Sequence, residues 1–109
     1  MHGIERDPNR VIVFDRTLRD GEQAPGFSMD AHTKVEMATA LRDLGVDVIE
    51  AGFAAASPGD AEAVRRVAGE VEGPIFCSLS RASEDDIRTA YGALQSTPKR
   101  RLHIFLSTS

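Results

Sequence analysis

The chain has 109 residues, of which 41% are hydrophobic, and its formal net charge is −4 at neutral pH. This length suffices for one small domain, and the acidic balance argues against a nucleic-acid-binding surface. Residues 1–10 are polar and of mixed charge, so we expect no secretory signal peptide, and no apolar run approaches bilayer-spanning length. We therefore expect no membrane partner. The single cysteine, Cys77, excludes an internal disulfide and favours a reducing, cytoplasmic location.

Strands and helices are predicted to alternate along the chain. The β-branched and aromatic run Val11–Phe14 predicts a first, buried parallel strand. A helix is expected from residue 30 to residue 44, ended by Gly45. Its predicted apolar face consists of Val35, Ala38, Leu41 and Leu44.

The second strand is predicted over Val46–Phe53, and a helix start follows it directly. Ser57 is a typical helix cap, Pro58 suits the first helical position, and Asp60 is an acid three residues after the cap. The apolar stripe predicted for this second helix is Ala61, Val64, Val67, Ala68 and Val71.

The third strand is predicted over Pro74–Leu79, and Cys77 within it is expected to be a small buried thiol rather than a nucleophile. Ser83 followed by Asp86 repeats the pattern of a cap and an acid. The fourth strand is predicted over Arg101–Leu106. The apolar positions predicted for the helix between these two strands are Ile87, Ala90, Tyr91 and Leu94.

This β-α-β-α-β-α-β order fits two architectures, an open doubly wound sheet or part of a closed barrel. The first strand is not followed by a glycine-rich dinucleotide motif or a phosphate-loop lysine, which removes the usual nucleotide-binding reasons for an open sheet. A complete (β/α)8 TIM barrel takes about 250 residues. The alternation alone does not choose between the two architectures. Four strands are half of such a barrel, and together with the resemblance given below this leads us to interpret residues 11–109 as the N-terminal half of a TIM-barrel catalytic domain, preceded by a polar segment over residues 1–10.

Polar side chains follow the first predicted strand directly, among them Arg19, Asp20 and Gln23. In α/β proteins, ligands bind just past the carboxyl ends of strands. An Asp-Gly pair by itself is more often a solvated turn. Asp20 nevertheless supplies a hard oxygen ligand of the type that Mg²⁺, Mn²⁺ or Zn²⁺ accepts.

Two further polar residues lie within predicted apolar strands. Glu50 follows Val46–Ile49, where a carboxylate faces either a barrel mouth or the helices, and the spacing does not decide between them. His103 is flanked by Leu102 and Ile104, and a lone histidine in such a strand is more often a core residue than a functional one.

The run Val11–Gly26 resembles the first-strand signature of the DRE-TIM metallolyase superfamily, whose members are metal-dependent Claisen-condensing acyltransferases and lyases on a TIM barrel. The match continues over Leu44–Asp60, Cys77–Ala82 and His103–Ser109. Within it, the blocks Gly52–Asp60 and Cys77–Ala82 are most similar to the isopropylmalate synthase branch of the isopropylmalate/homocitrate synthase family. The resemblance implies a leucine-biosynthetic acyltransferase that condenses acetyl-CoA with 2-oxoisovalerate.

The resemblance also implies roles for individual residues. Asp20 corresponds to the first-strand ligand of a divalent Mn²⁺, Mg²⁺ or Zn²⁺ ion, and Arg19 to the catalytic arginine that donates to the keto oxygen. Gln23 corresponds to an amide near the substrate, and Glu50 to a carboxylate that orients Arg19. His103 corresponds to a residue that lines the pocket for the branched substrate.

Other features leave alternatives open. Arg16 stands where family members commonly carry threonine, so the substrate preference differs if that arginine reaches the pocket. Homocitrate or citramalate synthase is the alternative within the class, and a noncatalytic, self-associating half-barrel is the alternative outside it. The family's His-x-His metal ligands belong to a later strand, so we expect this chain alone to be inactive and prone to association, and the full enzyme to be a homodimer.

Overall fold

The computed structural model describes residues 12–18 and 30–105 of the chain. Within these residues, four strands alternate with three α-helices, which confirms the predicted order. A short 3-10 turn, Ala54–Ala56, follows the second strand. The elements are β1 (Phe14–Asp15), α1 (Ala31–Asp43), β2 (Val48–Gly52), α2 (Pro58–Glu70), β3 (Ile75–Arg81), α3 (Glu84–Ala93) and β4 (Arg100–Phe105).

The four strands form one parallel sheet whose spatial order, β1-β2-β3-β4, is the order of the chain. A doubly wound sheet reverses direction part of the way along its strand order. The described strands show no such reversal, and α2 packs against both α1 and α3. The sheet is therefore wound in one direction only, as in one half of a (β/α)8 barrel, and the predicted fold class is confirmed.

The helices begin where the capping residues predict. The Ser57 hydroxyl accepts a hydrogen bond from the Asp60 amide at 3.0 Å, and the Ser83 hydroxyl accepts one from the Asp86 amide at 3.2 Å. Each bond satisfies an amide that lacks an intrahelical partner. Pro58 occupies the first turn of α2, as predicted.

The ends of α1 follow the same local rules. The Asp30 carboxylate caps the helix by accepting from the Thr33 amide at 2.8 Å, and this bond lowers the pKa of Asp30. Gly45 has a φ of +92°, the left-handed conformation that ends helices. Leu44, predicted to lie on the apolar face, is instead the C-cap residue and is 81% exposed.

The core lies between one face of the sheet and the helices. Ile49 and Ala51 of β2 and Phe76 of β3 are fully buried on that face. Four of the five predicted stripe positions of α2 are buried, and the fifth, Ala61, is partly buried against the same core. The four buried positions are Val64, Val67, Ala68 and Val71.

Some strand boundaries and burial predictions were wrong. The first strand was predicted to be buried, but Phe14 of β1 is 43% exposed because β1 pairs only with β2 among the described strands. β3 continues past Leu79 to Arg81, since its last residues pair with β4. Tyr91 is also exposed, and its hydroxyl accepts a hydrogen bond from Arg100.

No helix in residues 12–18 and 30–105 is long and apolar enough to cross a membrane.

Candidate functional site on the inner face of the sheet

The face of the sheet opposite the helices, here called the inner face, carries three chemically active side chains. Side chains alternate between faces along a strand, so Glu50, which follows the core residue Ile49, points to the inner face. Glu50 pairs in register with Cys77, and His103 lies on the same face because it pairs with Leu79, two residues beyond Cys77. Three consecutive strands thus each supply one of these groups.

Glu50 and His103 are in direct contact. The Glu50 Oε2 and His103 Nδ1 atoms are 2.7 Å apart, a short hydrogen bond in which the tautomer sets the donor. The Glu50 side chain is fully buried, whereas the His103 side chain is 46% exposed. His103 is therefore not a buried core residue, and its orientation is set by the carboxylate beneath it.

Cys77 completes this cluster. Cys77 is buried, as predicted. Its sulfur lies close to the other two groups: one donor atom from each of Glu50, Cys77 and His103 lies within 4.8 Å of the others. Sequence reasoning missed its association with Glu50. The available signal was the position of both residues in the interior of neighbouring strands, which the strand register then brings side by side.

Lys34 is a second residue that the sequence reasoning missed. Although it is a lysine of α1, it is only 1% exposed, and its Nζ lies 3.5 Å from where a side chain at Gly52 would begin. Lys34 therefore brings its side-chain nitrogen to the carboxyl end of β2. Its spacing from Ala38 and Leu41, four and seven residues on, places it on the inward face of the helix and was readable from the sequence.

Two aromatic rings lie near the carboxyl ends of the strands. Phe53 and Phe105 pack edge to face with ring centroids 5.9 Å apart, and the Arg81 guanidinium lies 5.7 Å from the Phe53 centroid. Arg81 is held by Asp86 through an N–O contact of 2.6 Å. This hydrogen bond is the main reason that the pKa of Asp86 is lowered and the pKa of Arg81 is raised.

The remaining predicted site residues are not part of the cluster that the structure describes on the inner face. Arg19, Asp20 and Gln23 lie outside the described residues. Arg16 is described and exposed. His32 is a surface residue, with a side chain 72% exposed and 3.7 Å from Glu36.

The inner-face donors can be tested against the expected divalent metal. The predicted hard-oxygen ligand, Asp20, lies outside the described residues. The described donors are a carboxylate oxygen, a thiol sulfur and an imidazole nitrogen. This mixed set suits a zinc-type ion, whereas Mg²⁺ and Mn²⁺ favour oxygen ligands.

A singly wound parallel β/α sheet with polar groups gathered on its inner face defines a domain of the β/α-barrel enzyme class. The model of the HMGL-like family matches residues 10–109, and the chain belongs to this family. HMGL-like proteins typically depend on a divalent metal.

Curated relatives agree with this assignment and confirm the resemblance to isopropylmalate synthases. The chain is 59% identical over 100 residues to the 2-isopropylmalate synthase of Aquifex aeolicus (strain VF5), covering 92% of this chain and 19% of that protein. It is 56% identical over 103 residues to that of Aliarcobacter butzleri (strain RM4018), covering 94% and 20%. It is 51% identical over 109 residues to that of Prochlorococcus marinus (strain AS9601), covering 97% and 20%. The chain thus spans about a fifth of the length of these relatives.

Proposed function

We propose that the chain is part of the catalytic domain of a cytoplasmic 2-isopropylmalate synthase in leucine biosynthesis. Such an enzyme joins the acetyl methyl carbon of acetyl-CoA to the keto carbon of 2-oxoisovalerate, and hydrolysis of the thioester then yields 2-isopropylmalate and CoA. The observation that carries the proposal is the hydrogen bond between buried Glu50 and half-exposed His103 on the inner face of the sheet. The names of the relatives support the choice of substrates.

Residues at the end of the first strand would bind the keto acid. Asp20 would contribute one ligand to a divalent ion, which supplies charge stabilisation at the keto oxygen when bound. Arg19 would donate to the same oxygen and remain charged throughout the reaction. Gln23 would hydrogen-bond the substrate nearby. The other metal ligands belong to a later strand, so catalysis needs residues beyond this chain.

Glu50 would act as a positioning residue. Its Oε2 atom holds the imidazole of His103 at 2.7 Å. A carboxylate has a second oxygen with its own lone pairs, so the same side chain can also orient Arg19, as the family resemblance implies. Burial strengthens both interactions, because water does not compete for the carboxylate.

His103 would shape the pocket for the side chain of the keto acid. Phe14 packs against its ring edge to face, with centroids 6.3 Å apart, which gives this part of the inner face an aromatic wall. Because the His103 side chain is 46% exposed, part of the imidazole remains available to contact a substrate. We therefore infer that His103 and Phe14 together favour 2-oxoisovalerate over smaller keto acids.

A substrate panel tests the proposal. The full-length protein is assayed for CoA thiol release from acetyl-CoA with 2-oxoisovalerate, pyruvate or 2-oxoglutarate and a divalent metal. We expect the highest kcat/KM with 2-oxoisovalerate. A preference for pyruvate would indicate a citramalate synthase, and a preference for 2-oxoglutarate a homocitrate synthase. No thiol release with any of the three acids would support the alternative of a noncatalytic, self-associating half-barrel.

Two substitutions test whether Asp20 and Arg19 belong to the active site. Asp20→Asn should abolish turnover, because it removes the charge of a metal ligand. Arg19→Ala should lower kcat by about 100- to 1,000-fold, the effect of removing one donor to a developing oxyanion. Near-normal thiol release in either variant would place that residue outside the active site.

A further inference from the structure

We propose that Glu50, Cys77 and His103 form a binding site for a thiophilic divalent cation, such as Zn²⁺ or Cd²⁺. None of its three donors is the residue expected to ligate the catalytic ion, and the proposal does not depend on the enzymatic activity. It rests on three donor types that three consecutive strands bring to one face of the sheet.

The donor spacing is close to what a tetrahedral ion needs. Zinc binds sulfur at about 2.3 Å and nitrogen or oxygen at about 2.0–2.2 Å, so neighbouring donors lie about 3.3–3.7 Å apart. One donor atom from each of the three residues already lies within 4.8 Å of the others. Adjustments of about 1 Å, which widen the 2.7 Å Glu50–His103 pair and shorten the longer separations, would fit the cluster around an ion.

The local structure allows such an adjustment. Glu50 and Cys77 are directly paired in register on neighbouring strands, and both are buried, so two donors are held in place. His103 is 46% exposed, so its ring has room to rotate. The ion would enter from the exposed side of His103, and a water molecule would complete the tetrahedron there.

The sulfur determines which ions the site accepts. Thiolate is a soft ligand that selects zinc-type ions, whereas Mg²⁺ and Mn²⁺ prefer oxygen ligands. The cluster has only one carboxylate, so it offers little to a hard ion. This site would therefore fill with Zn²⁺ or Cd²⁺ even when Mg²⁺ is in large excess.

Binding has a defined proton balance and no redox change. The Cys77 thiol loses its proton to solvent and binds as the thiolate. The Glu50 carboxylate and the neutral imidazole of His103 bind through lone pairs, and the imidazole proton resides on the nitrogen that does not bind the metal. The ion then replaces the Glu50–His103 hydrogen bond with one bond to each residue.

Cadmium titration of the purified full-length protein tests the site, because a Cd–thiolate bond produces an ultraviolet charge-transfer band. We expect one band that Zn²⁺ removes by competition and that Mg²⁺ leaves unchanged. The difference spectrum between the wild-type protein and Cys77→Ser isolates the contribution of this thiol. His103→Asn should weaken the affinity for Cd²⁺ by more than about tenfold. Loss of a residue that only hydrogen-bonds a metal ligand typically weakens affinity by about tenfold, so a larger effect indicates that His103 itself binds the ion.

His32→Asn is the matched control, since His32 also lies beside a glutamate but is a surface residue. This variant should bind Cd²⁺ as the wild type does. Circular dichroism checks that each variant is folded, and His103→Asn carries the test if Cys77→Ser does not fold. A band of equal intensity in Cys77→Ser, or equal affinity in His103→Asn and His32→Asn, would overturn the proposal.

Discussion

At the scale of single residues, the inner face is organised by a buried carboxylate beneath a half-exposed imidazole. The 2.7 Å bond to Glu50 engages one nitrogen of His103, and the side chain remains 46% exposed although Phe14 packs against the ring. Such an arrangement fixes the direction of a polar group without burying it. This fixed direction is the basis of the specificity that we expect of His103.

Substitution of His103 by leucine tests that specificity. His103→Leu removes the imidazole and its bond to Glu50. We therefore expect the ratio of kcat/KM for 2-oxoisovalerate to kcat/KM for pyruvate to change by about tenfold or more. This is the scale on which a pocket distinguishes substrates that differ by small apolar groups. Steady-state assays of thiol release measure the ratio. His32→Leu is the control and should leave it unchanged. An unchanged ratio in His103→Leu would exclude His103 from the substrate pocket.

A second prediction concerns the Arg81–Asp86 salt bridge. Because Arg81 lowers the pKa of Asp86 below 3.8, the ionised pair stabilises the fold above that pH, and the stabilisation is lost as the pH falls through the folded-state pKa. Asp86→Asn should therefore lower the free energy of unfolding at pH 7 and have a smaller effect near pH 3. Urea unfolding at both pH values measures this.

The same substitution at a neighbouring site provides the control. Asp85 lies in the same first turn of α3 but is exposed. Asp85→Asn should therefore have a smaller effect at pH 7 than Asp86→Asn. Equal effects of the two variants at pH 7 would show that the salt bridge with Arg81 adds no stability.

The sequence identified Glu50 and His103 singly, but not their contact. Their bond crosses β3 and depends on the register of three strands, which no local pattern encodes. Cys77 was predicted to be buried, which is correct, yet its neighbours follow from the same register. Lys34 was missed because lysines are rarely buried, although its helical spacing pointed inward.

At the scale of elements, helix starts were predicted well because capping is local. Ser57 and Ser83 each satisfy an amide three residues ahead, so four consecutive residues suffice to place the helix start. Strand ends depend on distant partners. β3 extends to Arg81 because Phe105 pairs with it, a fact absent from the sequence around residue 81.

Two glycines test the local account of helix ends. Gly45 has a φ of +92°, so Gly45→Ala should destabilise the protein by about 1–2 kcal/mol, although open space surrounds the position. Gly92 lies inside α3 and is also surrounded by open space, so Gly92→Ala should stabilise it by about 0.5–1 kcal/mol. Thermal or urea unfolding measures both. Changes of the same sign in the two variants would contradict this account.

At the scale of the whole molecule, the strand order distinguishes a barrel from a doubly wound sheet, which the alternation of strands and helices does not. A doubly wound sheet and a barrel share the same β-α alternation, so the sequence pattern fits both. The observed order follows the chain without reversal in residues 12–18 and 30–105. The family resemblance had favoured the barrel, and the geometry agrees.

Exposed apolar residues on the outer strands lead to a prediction about association. Ile12 and Val13 before β1, Phe14 in β1 and Ile104 in β4 are between 43% and 52% exposed. Parallel strands with apolar edges favour pairing with other chains. We expect the 109-residue chain by itself to self-associate in size-exclusion chromatography with light scattering. Ile104→Lys should reduce this association, and a monomer at every concentration tested would contradict the prediction.

The Glu50–His103 bond also bears on the order of folding events. It joins residues 53 positions apart and spans an intervening strand. Contacts with such long sequence separation form slowly, because a long loop must close before they contribute. The imidazole therefore reaches its final orientation only after β4 has docked in register. A partly folded chain, with the first three strands paired, has the carboxylate in place but no oriented histidine, so appearance of this bond would report the completion of the sheet.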